Sequence, residues 1–505
     1  MLGAVVAFGV AFFLALMLTP SVAQLAGHLG AVDRPDGRRK NHDFPVPLGG
    51  GVAVALTTGV ALAIALTVMW PLSGTSAGWL VKGLLPSALV LLWVGIVDDV
   101  LTLTGIYKLI GQVLAVTVLV AAGSRFECIS LFGYSLPLGQ FCIPFTIFFC
   151  LGAINAFNLI DGADALASSI GAIVCATLGI ISAAQGETAA ALVCFALAGS
   201  LVGFLRYNIP PARIYLGDTG SMLIGLVVAA VAIESSIKHQ AAFALAVPIA
   251  ICAIPILDAA AALVRRVTTG QSVFTPDRGH LHHVLLLRGW SVGRTVAFIA
   301  ALATLTCGAA LASYFTGNDL FALAITSGVF ITLAIARIFG HAEVALIASR
   351  SRSLVRIVSQ RGRRVATDTE SAVQLQGRRK WQKVWTALRE AAPGYHVASL
   401  TLQVSIPHLH ESFYATWNRS DATNHENGWR LTLPLLFGDR PAGKLSAIGS
   451  SSGSQAVADM QQLLDFLESF ESEIKETVAD EQPISLAYAS VIPQLVSGHV
   501  AHAVD

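Results

Sequence analysis

Long apolar runs alternate with short polar segments along the first two thirds of the chain. Many of these runs approach about 20 residues, the length at which a helix crosses the hydrocarbon core of a bilayer. The predicted spans are residues 2–19, 49–70, 80–97, 106–122, 141–158, 166–184, 188–205, 219–234, 241–264, 295–315 and 319–338. Glycine and proline inside them are tolerated, because neighbouring helices can satisfy the freed backbone groups. The pattern predicts an all-α polytopic membrane protein with about eleven transmembrane helices.

A different pattern begins near residue 366. The polar stretch RGRRVATDTESAVQLQGRRK (361–380) is typical of a linker or a surface helix. Beyond it, alternating runs such as HVASLTLQVSI and WRLTLPLLFGD end in turn residues and predict strands, and apolar residues at helical spacing follow in an acidic stretch. We expect a transmembrane domain at residues 1–340, a basic and polar linker at 341–380, and a small cytoplasmic α+β domain of unassigned role at 381–505, with a flexible tail.

The composition agrees with a membrane protein. The chain of 505 residues is 54% hydrophobic and only 12% charged, and a soluble protein carries about twice that charged fraction. The run that begins at Leu2 has no basic segment before it and no small-residue cleavage motif, so it is interpreted as a span that is retained. Of the seven cysteines, only Cys128 and Cys142 flank a predicted extracytoplasmic hairpin, and whether they pair is left open.

The charges of the connecting loops predict the orientation. The loop DRPDGRRKNHD (33–43) is strongly basic, and alternate loops after it carry most of the ionisable groups. The intervening loops, such as PLSGTSAG (71–78), are nearly uncharged. The positive-inside rule then puts the charged loops and the C-terminal domain in the cytoplasm and the N-terminus outside, in a multi-pass protein of the plasma membrane.

Ionisable and amide side chains gather in four segments that this topology places on one face. They include Asp98, Asp99 and Lys108, then Asn155, Asn158, Asp161 and Asp164, then Asn208, Asp218 and Ser221, and finally Asp258, Arg265, Arg266 and the loop PDRGHLHH with Arg278, His280, His282 and His283. Each segment has a purely structural alternative: a solvated helix end, helix–helix hydrogen bonds, a helix N-cap, a zinc loop or positive-inside arginines. Because all four coincide on one face, a functional site is the better interpretation.

The combined set suits phosphoryl transfer. Carboxylate and amide oxygens are ligands for Mg²⁺, Lys and Arg neutralise phosphates, and a nearby carboxylate can deprotonate a nucleophile. The sequence has no Walker-type G-x-x-x-x-G-K-[ST] motif, which excludes a P-loop ATPase. We expect a phosphorylated cytoplasmic donor and an acceptor in the bilayer.

The sequence resembles the polyprenyl-phosphate N-acetylhexosamine-1-phosphate transferases. These integral membrane enzymes move a sugar-1-phosphate from a UDP-sugar to a lipid phosphate and release UMP. The segments that carry the resemblance cover roughly residues 1–340: VDRPDGRRKNHDFPVPLGGG, VGIVDD, NAFNLIDGADALA, YNIPPARIYLGDTGSMLIG and PDRGHLHHVLLLRGWS. H-L-H-H after PDR resembles the branch that starts O-antigen, enterobacterial common antigen, teichoic acid or arabinogalactan linkers. This resemblance implies UDP-N-acetylglucosamine as the leading donor, with other UDP-N-acetylhexosamines left open.

The resemblance implies a role for each candidate residue. Asp98 and Asp99 would serve the lipid-phosphate acceptor, Lys108 would contact phosphate, and Asn158 and Asp218 would be ligands of Mg²⁺ or Mn²⁺. The substrate-binding residues would be Asn155, Asp161, Asp164, Asn208, Arg278, His280, His282 and His283. The partners implied are a UDP-N-acetylhexosamine, polyprenyl phosphate and the lipid bilayer, with no nucleic acid; a homodimer is left open.

One departure from the family pattern concerns a turn. Ala165 replaces a glycine in DGADALA, and because alanine resists positive φ the local turn could differ.

Two mechanisms fit the residues: direct attack of the lipid phosphate on the β-phosphate of the donor, which we favour, or a covalent phosphosugar intermediate on Asp99. The alternatives are a phospho-N-acetylmuramoyl-pentapeptide transferase of peptidoglycan synthesis, a membrane transporter, or an inactive scaffold for the C-terminal domain.

Overall fold

A computed structural model shows how these segments fold. It describes residues 2–33, 45–69, 78–131, 134–238, 246–272, 277, 279–348, 351, 368–377, 381–406, 411–419, 428–437, 440–478, 484–486 and 494–495. The chain divides into two units, Met1–Ala262 with His280–Phe339, and Leu263–Gly279 with Gly340–Asp505.

Thirteen helices follow one another in the part of the chain described between Leu2 and Ile335. They are α1 (Leu2–His28), α2 (Gly50–Met69), α3 (Leu85–Leu101, preceded by a π-helical turn at Leu80–Leu84), α4 (Gly105–Ala121), α5 (Cys142–Ile160), α6 (Leu166–Ala184), α7 (Thr188–Asn208), α8 (Gly217–Lys238), α9 (Ala246–Ile251), α10 (Ala253–Thr268), α11 (Leu281–Leu287), α12 (Val292–Thr316) and α13 (Leu320–Ile335). Short strand pairs join β1 (Val32–Asp33) to β2 (Val46–Pro47) and β3 (Cys128–Leu131) to β4 (Tyr134–Pro137).

The helices confirm a polytopic membrane protein. Within the described residues, eight helices at predicted spans are long and apolar enough to cross a membrane: α1, α2, α3 with its π-helical turn, α5, α6, α7, α8 and α12. Helices α4 and α13 are apolar but have only 17 and 16 residues. The ninth predicted span comprises α9 and α10, and residues 239–245 lie outside the described part. The number eleven therefore stays a prediction.

Helix α8 is the most buried of these helices and lies at the centre of the first unit. Three helices approach the backbone of α8 closely at positions where at least one of the two helices has a glycine. A side chain at Gly95 of α3 would come within 2.5 Å of the Thr219 backbone, and one at Gly225 of α8 would come within 2.5 Å of the Ile154 backbone in α5. Gly51 of α2 lies equally tightly on Gly220. Such small-residue contacts let membrane helices pack closely, so the ends of α3 and α5 lie beside the start of α8.

All seven cysteines are free, so Cys128 and Cys142 are not paired. The predicted hairpin between them is present as the β3–β4 pair.

The second unit contains a sheet of seven antiparallel strands. They are β5 (Thr369–Gln376), β6 (Val397–Ile406), β7 (Glu411–Asn418), β8 (Trp429–Phe437), β9 (Arg440–Gly449), β10 (Ile484–Leu486) and β11 (Gln494–Leu495). Their order is β10-β8-β9-β6-β7-β5, and β11 also pairs with β8. Apolar residues on one face of the sheet form a core with the helices Trp381–Ala391 and Gly453–Val478.

The α+β character predicted for the C-terminal region is confirmed. Strand β5 is a difference, since residues 369–376 lie in the stretch that we expected to be a linker or surface helix. Five of its eight side chains are polar and do not alternate regularly with the apolar ones, but the strand pairs with β7 over its whole length. The domain limits at residues 340 and 380 stay predictions.

Candidate active site

The ammonium group of Lys108 lies among oxygen atoms from three other helices. Its Nζ is 3.0 Å from Oδ2 of Asp98 and 2.5 Å from Oδ2 of Asp218, and it donates a hydrogen bond of 2.9 Å to Oδ1 of Asn158. Lys108 is in the first turn of α4, Asp98 and Asn158 are near the ends of α3 and α5, and Asp218 is in the first turn of α8. Four helix ends therefore bring together four of the predicted residues.

Asp99 has a different position from its neighbour. Its Oδ1 accepts a 2.8 Å hydrogen bond from the backbone N–H of Asp218, and its Oδ2 accepts one of 2.6 Å from the Thr219 hydroxyl. The backbone N–H of Thr219 also points at Oδ2, at 3.3 Å. Asp99 thus caps the N-terminus of α8 from another helix, where a negative charge is stabilised by the helix dipole.

Asp218 is fixed by Asn158 as well as by Lys108. The Asn158 amide donates to Oδ1 of Asp218 at 2.6 Å and to the hydroxyl of Ser221 at 3.1 Å. The Asp218 side chain keeps 35% of its surface exposed, whereas Asp98 keeps 7%. A ligand that reaches this cluster would therefore meet Asp218 before Asp98.

Asp161 follows the last residue of α5 and faces the same cluster. Its carboxyl accepts no hydrogen bond from the part of the chain that the structure describes. Desolvation, together with repulsion from the carboxylates of Asp218 and Asp99, raises the pKa of Asp161 well above its usual range. A carboxyl with a strongly raised pKa at such a cluster is a candidate functional residue.

Two residues predicted to bind substrate, Asp164 and Asn208, form hydrogen bonds within the protein. Asp164 accepts a 2.9 Å hydrogen bond from the backbone of Ala212. Buried Asn208 accepts one of 3.0 Å from the backbone of Ala165, and its amide donates to the Ile214 carbonyl. Together these two side chains tie the turn before α6 to the segment between α7 and α8.

Asn155 lies one helical turn before Asn158, inside the helix bundle. Its amide donates hydrogen bonds of 2.8 Å to the side chain of Gln112 in α4 and to the Leu151 carbonyl. This is the helix–helix role that the sequence left open. Gln112 was not predicted; a lone amide in an apolar run was its only signal.

Ala165, which replaces a glycine of the family pattern, has a left-handed backbone conformation. Ala165 has φ 65° and directly precedes α6. The residue therefore adopts the conformation that glycine accepts more readily.

The histidine loop is fixed by a buried carboxylate. Nδ1 of His280 lies 2.9 Å from Oδ2 of Asp258, and the backbone N–H of Leu281 donates to Oδ1 of Asp258 at 2.8 Å. Asp258 was noted in the sequence, but no role was assigned to it.

His282 is buried beside Gly162, the residue after Asp161. A Cβ atom at Gly162 would come within 2.4 Å of Nε2 of His282, and neither ring nitrogen has a hydrogen-bond partner in the described chain. Burial lowers the pKa of His282 to about 4, which keeps its ring neutral. The ring of His283 lies 4.2 Å from that of His282. Arg278 lies outside the described residues.

Comparison with known proteins places this site in a family. The model of glycosyl transferase family 4 matches residues 81–236, which contain the Lys108 cluster. The chain belongs to this family. A probable undecaprenyl-phosphate N-acetylglucosaminyl 1-phosphate transferase of Bacillus subtilis (strain 168) is 31% identical over 301 residues, which is 59% of this chain and 82% of the relative.

Two further relatives have related names. A decaprenyl-phosphate N-acetylglucosaminephosphotransferase of Mycobacterium tuberculosis (strain ATCC 25618 / H37Rv) is 33% identical over 334 residues, or 60% of this chain and 80% of the relative. An undecaprenyl-phosphate alpha-N-acetylglucosaminyl 1-phosphate transferase of Salmonella typhimurium is 30% identical over 292 residues, or 56% of this chain and 77% of the relative.

Proposed function

We propose that this protein transfers N-acetylglucosamine-1-phosphate from UDP-N-acetylglucosamine to polyprenyl phosphate and releases UMP, as the first step in the synthesis of a cell-surface glycan. The single observation that carries the proposal is the contact of the Lys108 ammonium with Asp98, Asn158 and Asp218 at the ends of apolar helices. The names of relatives with about 30% identity support the donor and the lipid.

The reaction needs groups that bind a pyrophosphate and accept a lipid phosphate. A phosphate oxygen of the lipid attacks the β-phosphorus of the donor, the bond between that phosphorus and the bridging oxygen breaks, and UMP leaves with the bridging oxygen. Lys108 is placed to hold negative phosphate oxygens, and the partly exposed carboxylate of Asp218 lies next to it. Asp98 and Asp161 are the nearby carboxyls for a proton from the lipid phosphate.

Direct attack is better supported than a covalent intermediate on Asp99. Both carboxylate oxygens of Asp99 accept hydrogen bonds from the start of α8, so a nucleophilic attack would break this cap. We assign Asp99 the positioning of Asp218.

The oxygen atoms of Asp218, Asn158 and Asp98 fit Mg²⁺ or Mn²⁺, which prefer carboxylate and amide oxygen ligands. The described residues contain no cluster of three or more His, Cys, Asp or Glu side chains arranged for a metal. Lys108 occupies the centre of the oxygen atoms, so these residues already gather around a positive charge. When bound, the ion would neutralise charge on the donor pyrophosphate.

The other candidate functions are less well supported. A transporter places its polar site near the middle of the membrane, whereas Lys108, Asp98, Asn158 and Asp218 lie at helix ends. We propose that this end faces the cytoplasm of a plasma-membrane protein, because the donor is a cytoplasmic nucleotide and the basic loops favour this orientation.

The direct test is UMP release by the purified full-length protein in detergent with polyprenyl phosphate and Mg²⁺. UDP-N-acetylglucosamine, UDP-N-acetylgalactosamine and UDP-glucose should be compared, each with and without the lipid and with a chelator. We expect lipid-dependent UMP with UDP-N-acetylglucosamine and its loss on chelation. UMP release that is independent of lipid, or none with any donor, would contradict the proposal.

A further inference from the structure

A second cluster of buried charges joins the end of α10 to Asp277 in the histidine loop. The guanidinium group of Arg265, near the end of α10, donates to Oδ2 of Asp277 through Nε at 2.9 Å and Nη2 at 2.6 Å. Its Nη1 pairs with Oε1 of Glu343. The three side chains keep only 6%, 11% and 9% of their surfaces exposed, in the order Arg265, Asp277 and Glu343.

Asp277 also binds the backbone of the loop. Its second oxygen, Oδ1, accepts a 2.8 Å hydrogen bond from the N–H of Gly279. Gly279 also lies against the guanidinium group, because a Cβ atom there would come within 2.6 Å of Cζ, Nε and Nη2 of Arg265. His280 is the next residue in the chain, so Arg265 fixes the backbone from which the histidine segment starts.

Glu343 comes from a part of the chain outside the family motifs. Residues 341–348 are helical and follow the last apolar helix, where the sequence predicted the start of a polar linker toward the C-terminal sheet. A carboxylate in a solvated linker would be exposed, but Glu343 is buried against a fixed cation. Breaking a buried ion pair on one side is costly, since it leaves the other charge unpaired.

We infer that Arg265 is a positioning residue for the histidine loop and that Glu343 holds Arg265 in place, so that the segment leading to the C-terminal domain sets how well the loop binds the sugar nucleotide. The inference rests on the proposed function, in which the histidine loop contacts the donor.

The test compares Glu343→Ala with Glu343→Gln in the full-length protein. Alanine removes the acceptor of the Nη1 hydrogen bond, whereas the glutamine oxygen can still accept it. We expect Glu343→Ala to raise the KM for the UDP-sugar about tenfold with little change in the KM for polyprenyl phosphate. Glu343→Gln should recover most of this loss. Glu390→Ala, which removes a carboxylate with 66% of its surface exposed, is the matched control and should behave as wild type.

Hydrogen exchange supplies a readout that does not depend on activity. The amides of residues 277–283 should exchange faster in Glu343→Ala than in wild type, and Arg265→Lys should do the same, because lysine cannot make the forked contacts. Unchanged exchange in both variants, or equal rises in the KM of both substrates, would overturn the inference. If the wild type releases no UMP, the proposed function fails, and the exchange result still decides whether Glu343 and Arg265 fix the loop.

Discussion

The carboxylate of Asp99 accepts a 2.8 Å hydrogen bond from the backbone N–H of Asp218. The second aspartate of the DD pair therefore caps the helix that presents Asp218, a carboxylate more exposed than Asp98. Asp98, one residue earlier, contacts Lys108 instead. Two adjacent and chemically identical residues have separate roles because successive helix positions point about 100° apart.

Asp99→Asn should lower both activity and stability. Asparagine keeps one acceptor but loses the charge at the helix N-terminus, which costs about 1 kcal/mol in the free energy of unfolding. Asp218→Asn should abolish UMP release with a smaller change in Tm, because α8 keeps its cap. The measurement is lipid-dependent UMP release beside thermal unfolding in detergent. Near-normal activity in both variants would refute the site assignment.

Lys108→Met should reduce kcat by a factor of at least about 10², the usual cost of losing a preorganised charge contact to the reacting group. It should also lower Tm, since Asp98 and Asp218 would lose the cation between them. The control is Lys82→Met, at an exposed lysine of the π-helical turn before α3, and it should leave kcat unchanged. A kcat within twofold of wild type in Lys108→Met would remove this lysine from the mechanism.

Ala165→Gly should stabilise the protein by about 1 kcal/mol, because the native φ of 65° is unstrained only for glycine. The matched control is Ala167→Gly, two residues later inside α6, which should destabilise by about the same amount. If Ala165 is left-handed in solution, thermal unfolding should show opposite changes in Tm for the two variants. Destabilisation by both would show that Ala165 is not left-handed in solution.

Gly162→Ala should weaken donor binding. The added methyl would come within 2.4 Å of the His282 ring and force it away from the Asp161 segment. We expect a KM for the UDP-sugar raised about tenfold, with the lipid KM unchanged. Gly152→Ala, inside α5 and with open space around it, should have no effect. Identical kinetics of the two variants would argue against contact between His282 and this turn in the active protein.

The stability of the protein should fall at acid pH because His282 becomes protonated on unfolding. Its pKa is lowered from 6.5 to about 4, so unfolding takes up a proton between these values. The contribution of the neutral His282 ring to the free energy of unfolding is fully present above pH 6.5. It is lost as the pH falls toward 4, and the loss amounts to about 3 kcal/mol at most. Tm measured from pH 7.5 to pH 4.5 should therefore fall more steeply in wild type than in His282→Leu. His28→Leu, at an exposed histidine, should follow the wild type; an equal slope in His282→Leu would contradict the burial.

The sequence predicted the membrane class and the meeting of Lys108 with Asp98, Asn158 and Asp218, since helix ends on one face must lie near each other. It could not separate Asp98 from Asp99, because that difference depends on how α3 rotates against α8. Asn155 and Asn208 carry the same amide as Asn158, but their partners are Gln112 and the backbone around Ala165. Those partners are distant in the sequence, so only the tertiary contacts distinguish the surroundings of these three amides.

Strand β5 was missed for a comparable reason. Five of its eight side chains are polar, so the alternation that reveals a strand is weak, and the strand pairs with β7, whose residues lie about 40 positions later. The sequence places Glu343 in a polar linker, and its burial could not be predicted because its partner, Arg265, lies 78 residues earlier.

The glycine contacts around α8 bear on how this enzyme scaffold can change. Gly95, Gly51 and Gly225 set the distances between helices by backbone-to-backbone contact. The spacing of Lys108, Asp98, Asn158 and Asp218 therefore depends on these three glycines. Any residue larger than glycine at one of these three positions would displace a helix and change the distances within the Lys108 cluster.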